Sequence, residues 1–318
     1  MIRFLLLLCI AMNLGSVAAQ TYPSKPIRLI VGYGAGGVAD ITARLVAQKL
    51  SESLGQPVIV DNKPSAGGIM AGELVANADP DGYTLLHLHS GNAISAALYR
   101  KLPFDVKKDF DPIVNMGEFD AVVLVDKSSS VKTITDFLIK ARANPDKTNI
   151  GTVSIGSTQH MSATLFKSST GVDTPVVPYK TTPALFAALK AKDIDAAFEM
   201  VSPSMSLIRG GELRAIAVLS GKRFAGLPDV PTMIESGVKD FDVKAWNGMA
   251  APAKTPKAII DKLNKEVNAV LALPDVQKRF QELGLDPLGG TPAELRTKLF
   301  SEIDKWAILI SKMNVERQ

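Results

Sequence analysis

Four turns rich in small and polar residues stand where apolar runs pass into helical patterns, at residues 32–40, 65–68, 90–92 and 154–160. A strand, a glycine turn and a helix in succession point unpaired backbone N–H groups at an anion. Glycine permits the close approach and the positive φ angles that such a turn needs. The spacing matches neither a phosphate-binding loop nor a dinucleotide fingerprint. The four turns therefore favour a site that holds a carboxylate with uncharged donors, although such turns can also merely connect strands to helices.

The histidines are the next candidates for chemistry. His87 and His89 alternate with leucines, so both lie on one face of a predicted strand. A metal site is conceivable there, but zinc needs three or four ligands and no third one is within spacing reach. We therefore favour a hydrogen-bonded strand face near the cleft. His160 falls at a predicted helix start, where it can donate to a ligand carboxylate or cap the turn.

Catalytic machinery is not evident. Ser157 and His160 are local neighbours, but a hydrolase needs a nucleophile and a base held by an orienting group, and no Gly-x-Ser-x-Gly elbow is present. Asp40 and Glu199 can point into a cleft, although most acidic residues are solvated surface. Trp246 and Trp306 are expected in the core. We expect a binding protein that is not an enzyme and that has no cofactor and no metal.

Alternating strand and helix patterns position these residues. Predicted strands in the first part cover residues 27–31, 58–60 and 83–89, and predicted helices cover 41–50 and 69–78. A second unit begins near Ala121. Its predicted elements are strands 121–125, 149–153, 196–198 and 213–218, a helix capped by Thr133, a helix reaching Phe166 and a helix capped by Thr182. The C-terminal third is helical, with helices opened by Thr255-Pro256 and by the capping box Thr291–Glu294. This alternation predicts an α/β fold with mainly parallel sheets.

The N-terminus and the composition restrict the class of protein. Residues 1–19 combine Arg3, a short apolar run and Val17-Ala18-Ala19, which indicates a cleaved export signal, with a retained anchor helix as the alternative. Cys9, the only cysteine, lies inside that signal, so we expect an exported, periplasmic product without thiol chemistry. The remaining chain has 35 basic and 32 acidic residues and no dense basic run, which argues against nucleic acid binding. Its length suits two domains.

Short motifs in a fixed order then point to one family. They are Tyr22–Val31, Ala35-Gly36-Gly37 with Asp40, Leu54–Val58, Asn62–Pro64 with Ala66-Gly67-Gly68, Ala78–Leu86, Gly156–Thr158 with His160, Val177–Lys180, Gly211–Ala215, Leu227–Thr232, Trp246–Gly248, Ala251-Pro252 with Thr255-Pro256, and Lys305-Trp306. Each motif is weak alone, but their order over most of the chain is specific. The sequence resembles the Bug family, the periplasmic solute-binding proteins of tripartite tricarboxylate transporters.

The resemblance implies a two-lobed clamshell like the type II periplasmic binding proteins, with mainly parallel sheets flanked by helices. One lobe would combine residues 21–120 with 247–318, and residues 121–246 would form the other. The resemblance also implies that the ligand lies between the lobes. The ligand-binding residues that we expect are Tyr33, Ala35, Gly36, Gly37, Asp40, Ser90, Asn92, Ser157, Thr158, His160, Tyr179 and Glu199.

The function implied is that of a monomeric receptor that captures a small organic acid, a mono- or dicarboxylate, and delivers it to membrane transporter subunits. Closure would be a hinge motion stabilised by a ligand that bridges both lobes. Two alternatives stay open at this point. The chain can be a sensing module that presents its ligand to a signalling receptor, or an exported serine hydrolase that uses Ser157 and His160.

Overall fold

The computed structural model describes residues 22–313 and 315–318. The expected export signal over residues 1–19, with Cys9, lies outside the described residues. Within the described ranges, no helix combines the length and the apolar character needed to cross a membrane.

The described chain alternates strands and helices from end to end. The strands are β1 Ile27–Val31, β2 Val58–Asn62, β3 Thr84–His89, β4 Phe110–Asp126, β5 Ile150–Val153, β6 Val176–Tyr179, β7 Ala196–Met200, β8 Leu213–Val218, β9 Lys244–Pro252 and β10 Leu285–Gly289. The helices are α1 Val38–Leu54, α2 Ile69–Ala76, α3 Ser90–Leu98, α4 Ile134–Ala143, α5 Thr158–Thr170, α6 Thr182–Ala191, α7 Val201–Arg209, α8 Lys257–Leu271, α9 Pro274–Glu282 and α10 Pro292–Lys312. The fold is therefore α/β, as the sequence predicts.

One long strand serves two groups of strands. The sheet order is β2-β1-β3-β9-β4-β7-β5-β6, and β8 and β10 also pair with β4. Residues 110–120 of β4 pair with β9 and β10, whereas residues 121–126 pair with β7 and β8. We call the group around β1, β2, β3, β9 and β10 the β1 lobe, and the group around β5 to β8 the β5 lobe. Helices flank both, which gives the two-lobed clamshell.

The direction of pairing changes towards the crossing strand. The outer pairs β1–β2, β1–β3, β5–β6 and β5–β7 are parallel. The five pairs that involve β4 or β9 are antiparallel. Parallel neighbours need a crossover connection, whereas antiparallel neighbours do not, and β4 passes from the β1 lobe to the β5 lobe as one continuous strand. The predicted parallel sheets are thus the outer parts of a mixed sheet.

Apolar strands and capped helices hold this arrangement. The side chains of Ile27, Leu29, Ile30 and Val31 in β1 are fully buried, as expected for a strand covered on both faces. The expected caps at Thr133 and Thr291 are present, each with a capping box. The expected cap at Thr182 is wrong by one residue.

Thr181 is the residue that caps α6. Its hydroxyl accepts from Ala184 N–H, three residues on, at 3.3 Å. Thr182 is therefore the first helical residue and Pro183 the second, a place where the missing N–H of proline costs nothing. This shift leaves the Thr182 hydroxyl available for the interior.

Candidate functional site

Five helices direct their N-termini at one cavity between the lobes. The cavity encloses about 40 Å³. The first residues of α1 and α3 line it from the β1 lobe, and those of α5, α6 and α7 line it from the β5 lobe. These lining residues are Gly37, Val38, Ala39, Ser90, Gly91, Thr158, Gln159, Thr181, Thr182 and, as the residue before α7, Met200. Because each helix start carries partial positive charge and unpaired N–H groups, the arrangement favours a bound anion.

Only part of the first glycine turn, residues 32–40, lines this cavity. Gly37 lines the cavity, whereas Ala35 and Gly36 are exposed and lie outside the lining. The Gly36 N–H donates to Asp40 Oδ2 at 3.1 Å, and Arg44 donates to Asp40 Oδ1 at 2.9 Å. Burial would raise the pKa of Asp40, but these hydrogen bonds hold it below its usual value. Asp40 does not line the cavity either. Its carboxylate closes the turn by accepting the hydrogen bond from Gly36 N–H.

Two aromatic side chains of the β1 lobe form one wall. Tyr33 and His89 line the cavity, and their ring centroids lie 4.5 Å apart. Burial raises the pKa of Tyr33, and the charge of Glu199 adds to this effect. His87 lies on the same strand face, with its ring centroid 6.1 Å from that of His89. Burial lowers the pKa of His87 to about 4 and that of His89 well below its ordinary value.

These buried histidines are thus neutral at physiological pH. Among residues 22–313 and 315–318, no three His, Cys, Asp or Glu side chains are grouped so that they could hold a metal ion.

Ser90 and Asn92 anchor the start of α3 in different ways. Ser90 lines the cavity, and its hydroxyl accepts from Trp246 N–H on β9 at 2.8 Å. Asn92 lies outside the lining, and its Oδ1 accepts from His89 N–H at 3.0 Å. Ser90 therefore fixes α3 to the neighbouring strand, and Asn92 caps the helix.

The fourth turn positions α5. The Ser157 hydroxyl donates to Val153 O at 2.6 Å and accepts from His160 N–H at 3.1 Å. Thr158, the next residue, lines the cavity, whereas Ser157 and His160 do not. Burial lowers the pKa of His160. Because the Ser157 proton is directed at a carbonyl oxygen, Ser157 and His160 do not form a nucleophile–base pair.

Glu199 lies directly behind the lining of the β5 lobe. Its side chain is fully buried, and its Oε1 accepts from Gln159 Nε2 and from Met200 N–H, each at 2.7 Å. Its Oε2 accepts from the Thr182 hydroxyl at 2.8 Å. Burial raises the pKa of Glu199, and the three hydrogen bonds oppose that rise. One carboxylate thus connects the starts of α5, α6 and α7.

The second glycine turn and Tyr179 lie away from the cavity. Tyr179 is half-buried outside the lining, while Lys180 after it contributes to the lining. In the second turn, Gly67 N–H donates to Ile155 O at 2.9 Å. This hydrogen bond joins the β1 lobe to the β5 lobe, so the second turn is a contact between lobes.

Sequence reasoning missed several lining residues. Gln159 and Thr182 follow the observed caps Ser157 and Thr181 by two positions and one position, and knowing the cap register would have found them. Trp246 is buried as expected for a core residue, yet it also lines the cavity together with Asn247. The Trp246–Gly248 motif was the available signal for this pair. The structure therefore brings together Tyr33, Gly37, Ser90 and Thr158 from the expected site and adds others, among them these four.

Comparisons with known proteins agree with this architecture. Residues 42–315 match the model of the tripartite tricarboxylate transporter family receptor, TctC. The solved structure of the periplasmic binding protein BugD is 34% identical, with a TM-score of 0.90 over 93% of this chain and 100% of that one.

Two similar solved structures hold acids. MatC from Rhodopseudomonas palustris, with bound malate, is 31% identical, with a TM-score of 0.87 over 91% of this chain and all of MatC. An R. palustris protein solved with adipate is 32% identical, with a TM-score of 0.88 over 92% of this chain and 98% of that protein. The chain described here therefore belongs to the TctC, or Bug, family of periplasmic solute-binding receptors.

Proposed function

We propose that this chain is an exported receptor that closes its two lobes around one small organic acid and delivers it to a tripartite membrane transporter. The observation that carries the proposal is the convergence of five helix N-termini on one cavity. Such a site binds an anion through oriented dipoles and N–H groups without a buried cation. The malate and adipate bound to similar proteins support a carboxylate as that anion.

The proposed lobes are residues 21–120 with 247–318, and residues 121–246. The partner change on β4 between Asp120 and Ala121 supports the first boundary. The second falls within β9, which pairs with β4 from Lys244 onwards. Strands that pass continuously between lobes suit a hinge, because small changes in their backbone angles turn one lobe against the other. A ligand that contacts both sets of helix starts would stabilise the closed form.

Calorimetry on the purified mature chain against mono- and dicarboxylates, amino acids and aromatic acids tests the binding. We expect one-to-one binding of at least one acid. Thr158→Val should weaken it by about tenfold to 150-fold, because a hydrogen bond to a charged group contributes roughly 1.5–3 kcal/mol. Thr164→Val, on the same helix outside the lining, is the matched control and should bind as the parent does. Absence of binding by every acid would overturn the proposal.

Delivery to a transporter is tested separately in cells. Uptake of the acid found by calorimetry should fall when the chain is deleted and should recover with the parent sequence but not with Thr158→Val. Unchanged uptake together with altered gene expression on ligand addition would instead support the sensing module.

A further inference from the structure

We propose that the ligand carries a carboxylate at the end facing the β1 lobe and a hydrogen-bond donor at the end facing the β5 lobe, a preference that Glu199 sets through Gln159 and Thr182. The donor would be a hydroxyl, a primary amide or an ammonium group. The inference rests on the proposed function and narrows its ligand class. Glu199 is in this view a positioning residue, since it lies behind the lining and acts through the two side chains that it holds.

Glu199 accepts hydrogen bonds from the side chains of Gln159 and Thr182. The Gln159 amide donates one of its two N–H bonds to Glu199 Oε1, and the Thr182 hydroxyl directs its only proton at Glu199 Oε2. An ionised carboxylate can only accept hydrogen bonds, so neither side chain can turn its oxygen towards it without repulsion. What Thr182 can offer to the cavity is therefore only hydroxyl lone pairs, whereas Gln159 can offer its amide oxygen or its second N–H.

Gln159 and Thr182 lie at the wall of the cavity. Both side chains line the cavity, and both residues are almost completely buried. A Cβ atom added to Gly37 would lie 3.3 Å from Thr182 Oγ1, so this oxygen faces the first glycine turn across the cleft. The β5 lobe thus presents acceptors to whatever bridges the two lobes.

In the part of the chain that the structure describes, the β1 lobe has no buried carboxylate that joins its helix starts at the cavity. There the starts of α1 and α3 reach the cavity, at Gly37–Ala39 and Ser90-Gly91. The single acidic residue in the first turns of these two helices, Asp40, is outside the lining and paired with Arg44. In the β5 lobe, by contrast, the Glu199 carboxylate already accepts hydrogen bonds from residues at the starts of three helices, α5, α6 and α7. The acid end of a ligand is therefore best stabilised in the β1 lobe.

A dicarboxylate without a hydrogen-bond donor at its second end should bind less favourably. Its second carboxylate would face the Thr182 oxygen, which can only accept, with the buried charge of Glu199 behind it. The attraction of the helix starts is already used there. A proton on Glu199 Oε2 removes this disadvantage, because Glu199 then donates to Thr182 Oγ1 and the Thr182 hydroxyl can donate into the cavity. Dicarboxylates should consequently bind with uptake of one proton, and donor-ended acids should bind without it.

Other titratable groups surround this face of the cavity. They are Tyr33 in the first glycine turn, His160 on α5, Lys180 before α6 and Asp120 on β4, with Lys190 and Arg209 at the far ends of α6 and α7. His160 lies outside the lining, and Lys180 is exposed. A variant of Glu199 is therefore needed to assign any proton uptake.

The test uses pairs of ligands with the same length, namely succinate with succinamate, and glutarate with glutaramate. At pH 7.5 we expect the monoamide to bind about tenfold or more tightly than the diacid, because buried polar groups left unpaired penalise the wrong partner strongly. Calorimetry in two buffers with different ionisation enthalpies should show proton uptake for the diacid alone. Glu199→Gln should reduce the preference at least fivefold and abolish the uptake, since its amide NH₂ can donate to Thr182 permanently.

Glu73→Gln, on the exposed side of α2, removes the same charge far from the cavity and should keep the parent preference. If Glu199→Gln does not fold, Thr182→Val gives a second readout. Loss of the hydroxyl should weaken succinamate, which loses its acceptor, and should abolish the proton uptake that accompanies succinate, because no hydroxyl is left to turn towards the second carboxylate. A parent chain that binds the diacid at least as tightly as the monoamide, or a preference unchanged in both variants, overturns this inference alone. Failure of every acid to bind would instead overturn the proposed function.

Discussion

At the scale of single residues, the structure separates buried groups that stay neutral from buried groups that stay charged. Asp40 remains ionised because Arg44 and the Gly36 N–H hold it. His87 has no comparable partner charge in contact, so burial favours its neutral form. Asp40 and His87 are both buried near the same turn, yet the fold favours the charged form of Asp40 and the neutral form of His87.

The buried His87 predicts a loss of stability in mild acid. Its pKa is about 4 in the folded chain and 6.5 in an ordinary histidine, so the unfolded chain binds the proton more readily between these values. The contribution of His87 to the free energy of unfolding should therefore have its full value above pH 6.5. It should decrease as the pH falls towards 4, by on the order of 3 kcal/mol. His89 acts in the same direction.

Urea unfolding at a series of pH values measures this effect. His87→Leu should have a shallower decrease between pH 6.5 and 4 than the parent chain. His160→Leu is the control, because His160 is only half-buried and should contribute less. Identical pH profiles for His87→Leu and the parent would contradict the assignment.

At the scale of elements, the helix caps connect stability with the cavity. Ser157 caps α5, whose next residues line the cavity, whereas Thr133 caps α4, which contributes no lining residue. Loss of a cap costs typically about 1 kcal/mol. The same chemical change at these two positions should therefore have different functional results.

Ser157→Ala and Thr133→Ala make this comparison. Both should lower the free energy of unfolding by about 1 kcal/mol, with the larger loss at Ser157, whose removal also leaves Val153 O without its donor. Only Ser157→Ala should weaken binding of the acid, because the first turn of α5 carries Thr158 and Gln159. Equal affinities for the two variants, measured by calorimetry, would show that the α5 start does not contact the ligand.

The elements also show what the sequence could predict. Local signals sufficed for β1, the glycine turn and α1, and for the capping boxes at Thr133 and Thr291, because their causes lie within a few residues. Only residues 121–125 of β4 were predicted, since the first part of the strand carries Pro112, Asn115 and Gly117 and is extended by pairing with β9 and β10. Those partners are far away in the chain.

The same limit applies to the cavity. Glycine turns could be found from local composition, but the contributions of Gln159 and Thr182 depend on a buried carboxylate on β7. Their orientation follows from tertiary contacts between α5, α6 and β7, which no short segment encodes.

At the scale of the whole molecule, the lobes meet through small residues. Gly67 N–H donates across the cleft to Ile155 O, and Gly34 of the first turn lies against Thr181 of the β5 lobe. A Cβ atom added to Gly34 would lie 2.6 Å from Thr181 Cγ2 and 3.3 Å from Lys180 O. The absence of a side chain at Gly34 thus allows the two lobes to approach closely.

Gly34→Ala should consequently oppose closure while leaving each lobe folded. The φ angle of Gly34 is not positive, so the local backbone accepts alanine. The main conflict of the added methyl group is with the opposite lobe. Overpacking of a close contact costs typically 1–3 kcal/mol, which corresponds to a loss of affinity of about fivefold to 150-fold. Calorimetry should show that loss, and small-angle scattering should show a smaller decrease in the radius of gyration on ligand addition.

The double variant Gly34→Ala with Thr181→Ser separates a clash between lobes from a local defect. Serine keeps the hydroxyl that accepts from Ala184 N–H and caps α6, but it lacks the Cγ2 atom that the new methyl group would meet. Affinity and compaction should therefore return most of the way to the parent values, since only the weaker approach to Lys180 O is left. If the double variant binds no better than Gly34→Ala, the added methyl group acts within the first glycine turn itself, and closure does not depend on this contact.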